Sequence, residues 1–340
     1  TRIRRRGTRK NVQTKDLSRF LSGADAGALK YMPPVKPKVI VITGPTAVGK
    51  SALALELAQE MDGEIINADS QQVYREMNIG TAKPSREERE KIRHHLIDLV
   101  YPDEEFNVAM FRQAAVEAVS DIRARKKQAI VCGGTGLYIK VVTAGLFVGP
   151  PENVELRKQI RARIEENGLG PLYERLQQVD PAAVAWIHPH DRHRIIRALE
   201  VYELTGKPIS QWQKEHRFSE RAFETFAAVL DRERSELYHR INDRCERMIH
   251  DGLVEEVRNL RDKGYDLGLR ALQGVGYRHV GLYLAGALSF KEALGRMKRD
   301  TRHLAKRQLT WFRGAGEVRW FHPEENREDI KQAVKNFLTL

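Results

Sequence analysis

The octapeptide Gly44-Pro45-Thr46-Ala47-Val48-Gly49-Lys50-Ser51 constrains this chain more than any other stretch. It matches GxxxxGK[ST] in full, and its flanks are those the pattern requires. Before it runs Lys38-Val39-Ile40-Val41-Ile42-Thr43, a β-branched apolar run that reads as a buried parallel strand. After it come Leu53, Leu57 and Met61 at helical spacing. Together these parts make an anion cradle. Glycines let successive N–H groups turn inward, and the helix N-terminus adds the positive end of its dipole. Lys50 adds a full positive charge, and the Ser51 hydroxyl can hold Mg²⁺. The motif predicts a phosphate or diphosphate ligand without choosing ATP.

Glu64-Ile65-Ile66-Asn67-Ala68 and Gln128-Ala129-Ile130-Val131-Cys132 repeat the strand pattern, the second running into Gly133-Gly134. Strands alternating with helices predict an α/β fold with a P-loop-type, doubly wound parallel sheet. Over 152–204 the periodicity is helical, so an all-helical insertion is expected at 146–204. The catalytic core is then 38–145 and 205–340. The alternating stretch 222–230 is expected to rejoin the sheet, and long helices are expected over 233–261 and 290–313.

Composition narrows the classes. The 340 residues are 41% hydrophobic and 31% charged, as in globular domains, with no apolar run long enough to span a membrane. Cys132 and Cys245 stand far apart with no CxxC pair. That excludes a zinc finger, argues against a disulfide framework and favours a reducing compartment. The net charge of +12 is concentrated: residues 1–38 hold eleven Lys or Arg against Asp16 and Asp25, so +9 lies there. Residues 1–37 are expected to form a basic, mostly disordered extension ending in Pro33-Pro34-Val35-Lys36-Pro37. Met32 is a candidate natural start, and an Arg-rich targeting peptide is the competing reading.

Asp69-Ser70-Gln71-Gln72 follows the second strand, where open α/β sheets face their ligand. Asp69 there can bind Mg²⁺, orient a ligand, act as a base or simply cap a helix. Further blocks follow in order: Ile79-Gly80-Thr81-Ala82-Lys83-Pro84, then Gly133-Gly134-Thr135-Gly136-Leu137-Tyr138, then Asp191-Arg192-His193-Arg194-Ile195-Ile196-Arg197. Gly274-Val275-Gly276-Tyr277-Arg278 and Ala305-Lys306-Arg307-Gln308-Leu309-Thr310-Trp311-Phe312-Arg313 close the series. With the phosphate loop, these blocks resemble the tRNA dimethylallyltransferases (isopentenyltransferases) from about residue 38 to the C-terminus.

The resemblance implies transfer of a dimethylallyl group from dimethylallyl diphosphate to N6 of the adenosine beside the anticodon of tRNA. Residues 44–51, with Arg278, Arg302 and Lys306, would hold the diphosphate. Lys50 and Thr46 would act on the leaving group, and Asp69 would accept the N6 proton. The implied RNA contacts are Asp69, Ser70, Gln71, Gln72, Thr135, Arg157, His193, Arg194, Ile195, Ile196, Arg197, Gly276, Tyr277, Arg278, Arg307 and Arg313. His193-Arg194 departs from the Gln-Arg common in the family, replacing an amide's paired donor and acceptor by one imidazole donor. The resemblance further implies Mg²⁺ on Ser51, a flipped adenosine, an insertion that clamps the anticodon stem-loop, and a cytoplasmic monomer without membrane contact.

On the helix expected at 290–313, Arg299, Arg302, Lys306 and Arg313 share one face. Leu294, Met297, Leu304 and Trp311 lie opposite and are expected to pack on the core. Two other enzyme classes fit the loop, a P-loop kinase or ATPase and an adenylate isopentenyltransferase. The first expects an acid after the 128–132 strand, where Gly133-Gly134-Thr135 stands instead.

Overall fold

A computed structural model of the chain describes residues 36–145, 149–216, 221–315 and 318–339. The basic extension, from residue 1 to 35, and positions 146–148, where the insertion was expected to open, lie outside the described residues.

Six strands form one parallel sheet in the order β3-β2-β4-β1-β5-β6. They are β1 (Lys38–Thr43), β2 (Gly63–Asn67), β3 (His94–His95), β4 (Gln128–Gly133), β5 (Glu224–Leu230) and β6 (Arg319–Phe321). Strand β1 lies between β4 and β5, with Ile42 opposite Cys132 on one side and Ala228 on the other. Helices cover the sheet, so Val39 to Ile42 are buried on both faces and show no polar alternation. Helix α1 (Lys50–Glu60) packs with Leu53, Ala54, Leu57 and Ala58. It is followed by α2 (Arg86–Lys91), α3 (Val108–Ala124) and α4 (Gly136–Ala144).

Four helices then leave the sheet: α5 (Val154–Asn167), α6 (Gly170–Val179), α7 (Arg192–Thr205) and α8 (Ile209–His216). They enclose a core of their own, which includes Ile160, Leu176, Ile187, Ile195, Ile196 and Leu199. Ile209 and Trp212 belong to this core, so the helical unit continues past the expected limit at 204. The Gly206 turn, which ends α7, concealed that continuation.

The expected helix 233–261 is two helices, α9 (Arg234–His250) and α10 (Leu253–Asp262). Between them Gly252 takes φ 101, the left-handed conformation that ends a helix at little cost for glycine. After α11 (Tyr277–Leu284) comes α12 (Phe290–Arg313), whose start is fixed by a reciprocal Ser289–Glu292 capping box. Helix α13 (Arg327–Thr339) closes the chain. Strands β3 and β6 were not anticipated. Three residues or fewer carry no periodicity, and His94-His95 carries no apolar signal either.

Candidate active site

The carboxyl ends of β1, β2, β4 and β5 bring four segments together: the phosphate loop, Asp69, Gly134–Thr135 and Arg232. Gly44 takes φ 140, and a Cβ there would sit 2.4 Å from Leu230 O, so only glycine fits. The loop turns through Ala47 (φ 65) and Gly49 (φ 112) into α1, which begins at Lys50. Lys50 Nζ donates to Pro45 O at 2.7 Å. Burial pushes the Lys50 ammonium down to about 8, with the Arg244 cation pressing the same way and Asp69 opposing. Arg244, from α9, is likewise pulled below its ordinary value by burial. Lys50 and Arg244 are thus two buried cations turned to one chamber, and a bound anion would offset the burial that disfavours their charge.

Asp69 Oδ1 accepts the Gln71 N–H at 2.8 Å, an Asx turn, and Asp69 N–H donates to Asn67 Oδ1. The carboxylate lines two adjoining cavities. The larger, about 630 Å³, is walled by Ser70, Gln71, Thr135, Arg278, Arg307 and Trp311 among others. The smaller, about 110 Å³, holds Thr46, Lys50, Ser51 and Cys132. Arg244 lines both, and also a third, open cavity of about 1170 Å³ beyond Lys50 and Ser51. The chambers therefore lead from the phosphate loop past Asp69 to the α11–α12 side. Gln71 lines the larger cavity, while its Oε1 is buried against Gly274 without a hydrogen-bond partner.

Cross-braces fix the geometry. Thr135 Oγ1 accepts the Ser70 N–H at 3.0 Å. Gln308 of α12 accepts the Thr46 N–H at 2.9 Å and donates to Gly134 O at 2.9 Å. Gln72 Nε2 donates to Thr81 O and Ala82 O.

The family model for IPP transferase matches residues 72–315. A curated tRNA dimethylallyltransferase of Geobacter metallireducens is 47% identical, with 89% of this chain and 98% of that protein covered. One from Syntrophus aciditrophicus is 48% identical, with 89% and 97% covered. The chain belongs to the IPP transferase family. Solved structures agree: a tRNA isopentenylpyrophosphate transferase of Bacillus halodurans is similar with TM-score 0.66 at 37% identity, covering 89% of this chain and 97% of that one. A eukaryotic dimethylallyltransferase acting on tRNA gives TM-score 0.74 at 30% identity, with 89% and 80% covered.

Within this IPP transferase the expected residues divide into groups. Thr46, Asp69, Ser70, Gln71, Thr135, Arg278 and Arg307 line the larger cavity, and Lys50, Ser51 and Gln72 line the smaller. Arg302 and Lys306, expected at the diphosphate, line none of the three cavities; Arg302 donates to Asn242 Oδ1 at 2.7 Å, joining α12 to α9. The expected core face of α12 is also shifted. Ala293, Met297, Thr301, Ala305 and Phe312 are buried, whereas Leu304 and Trp311 turn to the cavity, Trp311 remaining 37% exposed. The cavity opens along one edge of the buried stripe, so that edge stays uncovered.

Tyr277 is only 1% exposed. Its O–H donates to Glu256 Oε1 at 2.5 Å, and Glu256 also accepts the N–H groups of Asn78, Ile79 and Gly80. A Cβ on Gly80 would meet the Tyr277 ring at 2.5 Å. The Ile79–Pro84 and Gly274–Arg278 blocks are thus halves of one packed joint, with Gly80 and Thr81 on the cavity wall. Tyr277→Phe should cost roughly 1.5–3 kcal/mol, the range for a hydrogen bond to a charged group. Urea denaturation checks this; an RNA contact would instead lower tRNA affinity at unchanged stability.

The insertion residues stand away from the three cavities. Ile195 and Ile196 belong to the insertion core. His193 and Arg194 are exposed on the first turn of α7, and Arg313 is exposed at the end of α12. Gly276, φ 97, caps α11 and donates its N–H to His279 Nδ1. Arg157 and Arg197 both hold the carboxylate of Glu200. Sequence reasoning passed over Arg244, Gln308 and Glu256. Gln308 stood inside a quoted block, whereas Arg244 and Glu256 sit on helix faces that carry no motif. Among the described residues no helix is long and apolar enough to cross a membrane.

Proposed function

We propose that this IPP transferase moves a dimethylallyl group from dimethylallyl diphosphate to N6 of the adenosine 3′-adjacent to the anticodon in tRNA, acting as a cytoplasmic monomer. The observation that carries the reading is the pairing of a phosphate chamber holding the buried cations Lys50 and Arg244 with the Asp69 carboxylate, which lines both this chamber and a second cavity. Diphosphate lies against the loop 44–51, and the flipped adenosine enters from the α11–α12 side. The N6 nitrogen attacks the allylic carbon as the carbon–oxygen bond breaks, and the electron pair leaves with diphosphate. Loop amides, Lys50 and Arg244 stabilise that departing charge. Asp69 accepts the N6 proton.

Ser51, Asn67 and Glu88 line the smaller cavity, oxygen donors of the kind that hard cations use. They would hold Mg²⁺, which when bound neutralises diphosphate oxygens. The helical unit of α5–α8 grips the anticodon stem-loop through exposed Arg192, His193 and Arg194, while Arg278 and Arg307 meet RNA at the larger cavity and Arg313 meets it from the end of α12.

The test uses labelled dimethylallyl diphosphate with tRNA, with an anticodon stem-loop and with AMP. Label should enter the two RNAs and not AMP. Transfer to AMP alone would establish a free-nucleotide enzyme. Steady ATP hydrolysis without transfer would establish a P-loop ATPase.

A further inference from the structure

A loop that aims its N–H groups at a diphosphate must turn its carbonyls the other way, and buried carbonyls need donors. Around residues 44–51 two of these donors are side chains from outside the loop. Arg240 Nε donates to Ala47 O at 3.0 Å, and Arg232 Nε donates to Val48 O at 2.9 Å. Arg240 also lines the open cavity, where a ligand can reach it. Arg232 lines none of the three cavities, and its side chain is 2% exposed.

Everything around Arg232 serves its orientation. It follows β5 by two residues, so the sheet fixes its backbone. Its Nη1 donates to Glu324 Oε2 at 2.9 Å and Nη2 to Glu324 Oε1 at 2.5 Å, a two-pronged clamp from the segment between β6 and α13. Glu236, in the first turn of α9, holds Nη1 from the other side. The planar fork is thereby locked with only Nε turned to the loop. Glu236 and Glu324 keep 40% and 60% side-chain exposure, so their clamp adds direction more than stability.

We infer that Arg232, clamped by Glu236 and Glu324, is a positioning residue that holds the Val48 carbonyl outward and thereby sets the anion-receiving shape of the loop 44–51. The inference rests on the reading that this loop holds diphosphate. Arg232 touches neither substrate and acts through the loop backbone. A lysine at 232 keeps the charge but cannot fill the fork and the Val48 contact together.

Inorganic diphosphate serves as the probe, titrated calorimetrically into the full chain. The proteins compared are wild type, Arg232→Lys, the double variant Glu236→Gln/Glu324→Gln, and Lys50→Ala as the control for the loop itself. Arg232→Lys should weaken diphosphate binding about tenfold or more, the size of a lost hydrogen bond to a charged group. The double variant should weaken it by roughly half that factor on a logarithmic scale; because it leaves the buried Arg232 cation beside neutral partners, its thermal unfolding is recorded as well and binding is compared at a temperature where every variant is folded. In both, KM for dimethylallyl diphosphate should rise in step with the loss of diphosphate affinity, while tRNA affinity stays at the wild-type value. A merely structural arginine would lower stability without this selective KM shift. If Lys50→Ala loses diphosphate while the Arg232 and carboxylate variants bind like wild type, the positioning role is overturned. If Lys50→Ala itself binds like wild type, the loop is not the diphosphate site and the inference falls with that reading. Should Arg232→Lys fail to fold, the double variant decides.

Discussion

Asp69→Asn should lower kcat by roughly 10²–10⁴-fold, the span of general-base catalysis, while binding of both substrates changes far less. The substitution is unusually clean here. Asn keeps the Oδ1 that accepts the Gln71 N–H, so the turn that presents residue 69 survives. What disappears is the charge and the capacity to take a proton. Loss of that charge also leaves Lys50 and Arg244 without their nearby carboxylate, which should if anything tighten diphosphate binding. Single-turnover measurements with saturating tRNA separate the roles. If Asp69 serves chiefly to hold Mg²⁺, added Mg²⁺ restores the rate in part and diphosphate affinity falls. Near-normal turnover would remove Asp69 as the base.

The double variant Arg157→Ala/Arg197→Ala should destabilise the helical insertion by about 3–5 kcal/mol, the cost of leaving one member of a buried ion pair alone. Glu200 is 0% exposed. It accepts Nε and Nη2 of Arg157, each at 3.0 Å, Nη1 of Arg197 at 2.6 Å and the Asn153 N–H at 2.8 Å. Burial pushes its carboxyl upward, but the hydrogen bonds from Arg197, Arg157 and the Asn153 N–H outweigh it and hold the group below the usual glutamate range. A depressed folded value gives stability that is present above about pH 4.3, the ordinary glutamate value, and lost as pH falls through the folded one. Hydrogen exchange of amides in α5 and α7 checks both effects. Adding Glu200→Gln to the double variant should recover much of the loss. If the double variant keeps wild-type exchange and loses only tRNA affinity, the two arginines are RNA contacts and not struts.

These cases mark how far the sequence could be read. The sheet was legible because β1 and β4 are buried on both faces and carry runs of four or more apolar residues, and β2 keeps Ile65-Ile66 at its centre; β3 and β6 were too short to show. The phosphate loop and Asp69 were legible because strand ends and glycine spacing locate them. Less legible was what a charged residue does once found. Arg157, Arg197 and Tyr277 were expected at RNA, yet each hydrogen-bonds an internal carboxylate, Glu200 or Glu256. A one-dimensional pattern gives a residue's type and rough face but not the identity of a partner 21 or 43 positions away. Arg244 went unseen for the same reason: nothing around it in α9 distinguishes it from a solvated arginine.

The braces on the phosphate loop are all distant in the chain. Val48 waits for a residue 184 positions later, Ala47 for one 193 later and Thr46 for one 262 later. Even β1 lacks one of its two neighbours until 224–230 joins it. Closing loops of this size must precede the reward of the contacts they bring, which slows folding. During synthesis the loop 44–51 therefore emerges early but stays slack, and takes its shape only after α9 and α12 have followed it out. The anion site that the motif begins is thus completed only in the last third of the chain's translation.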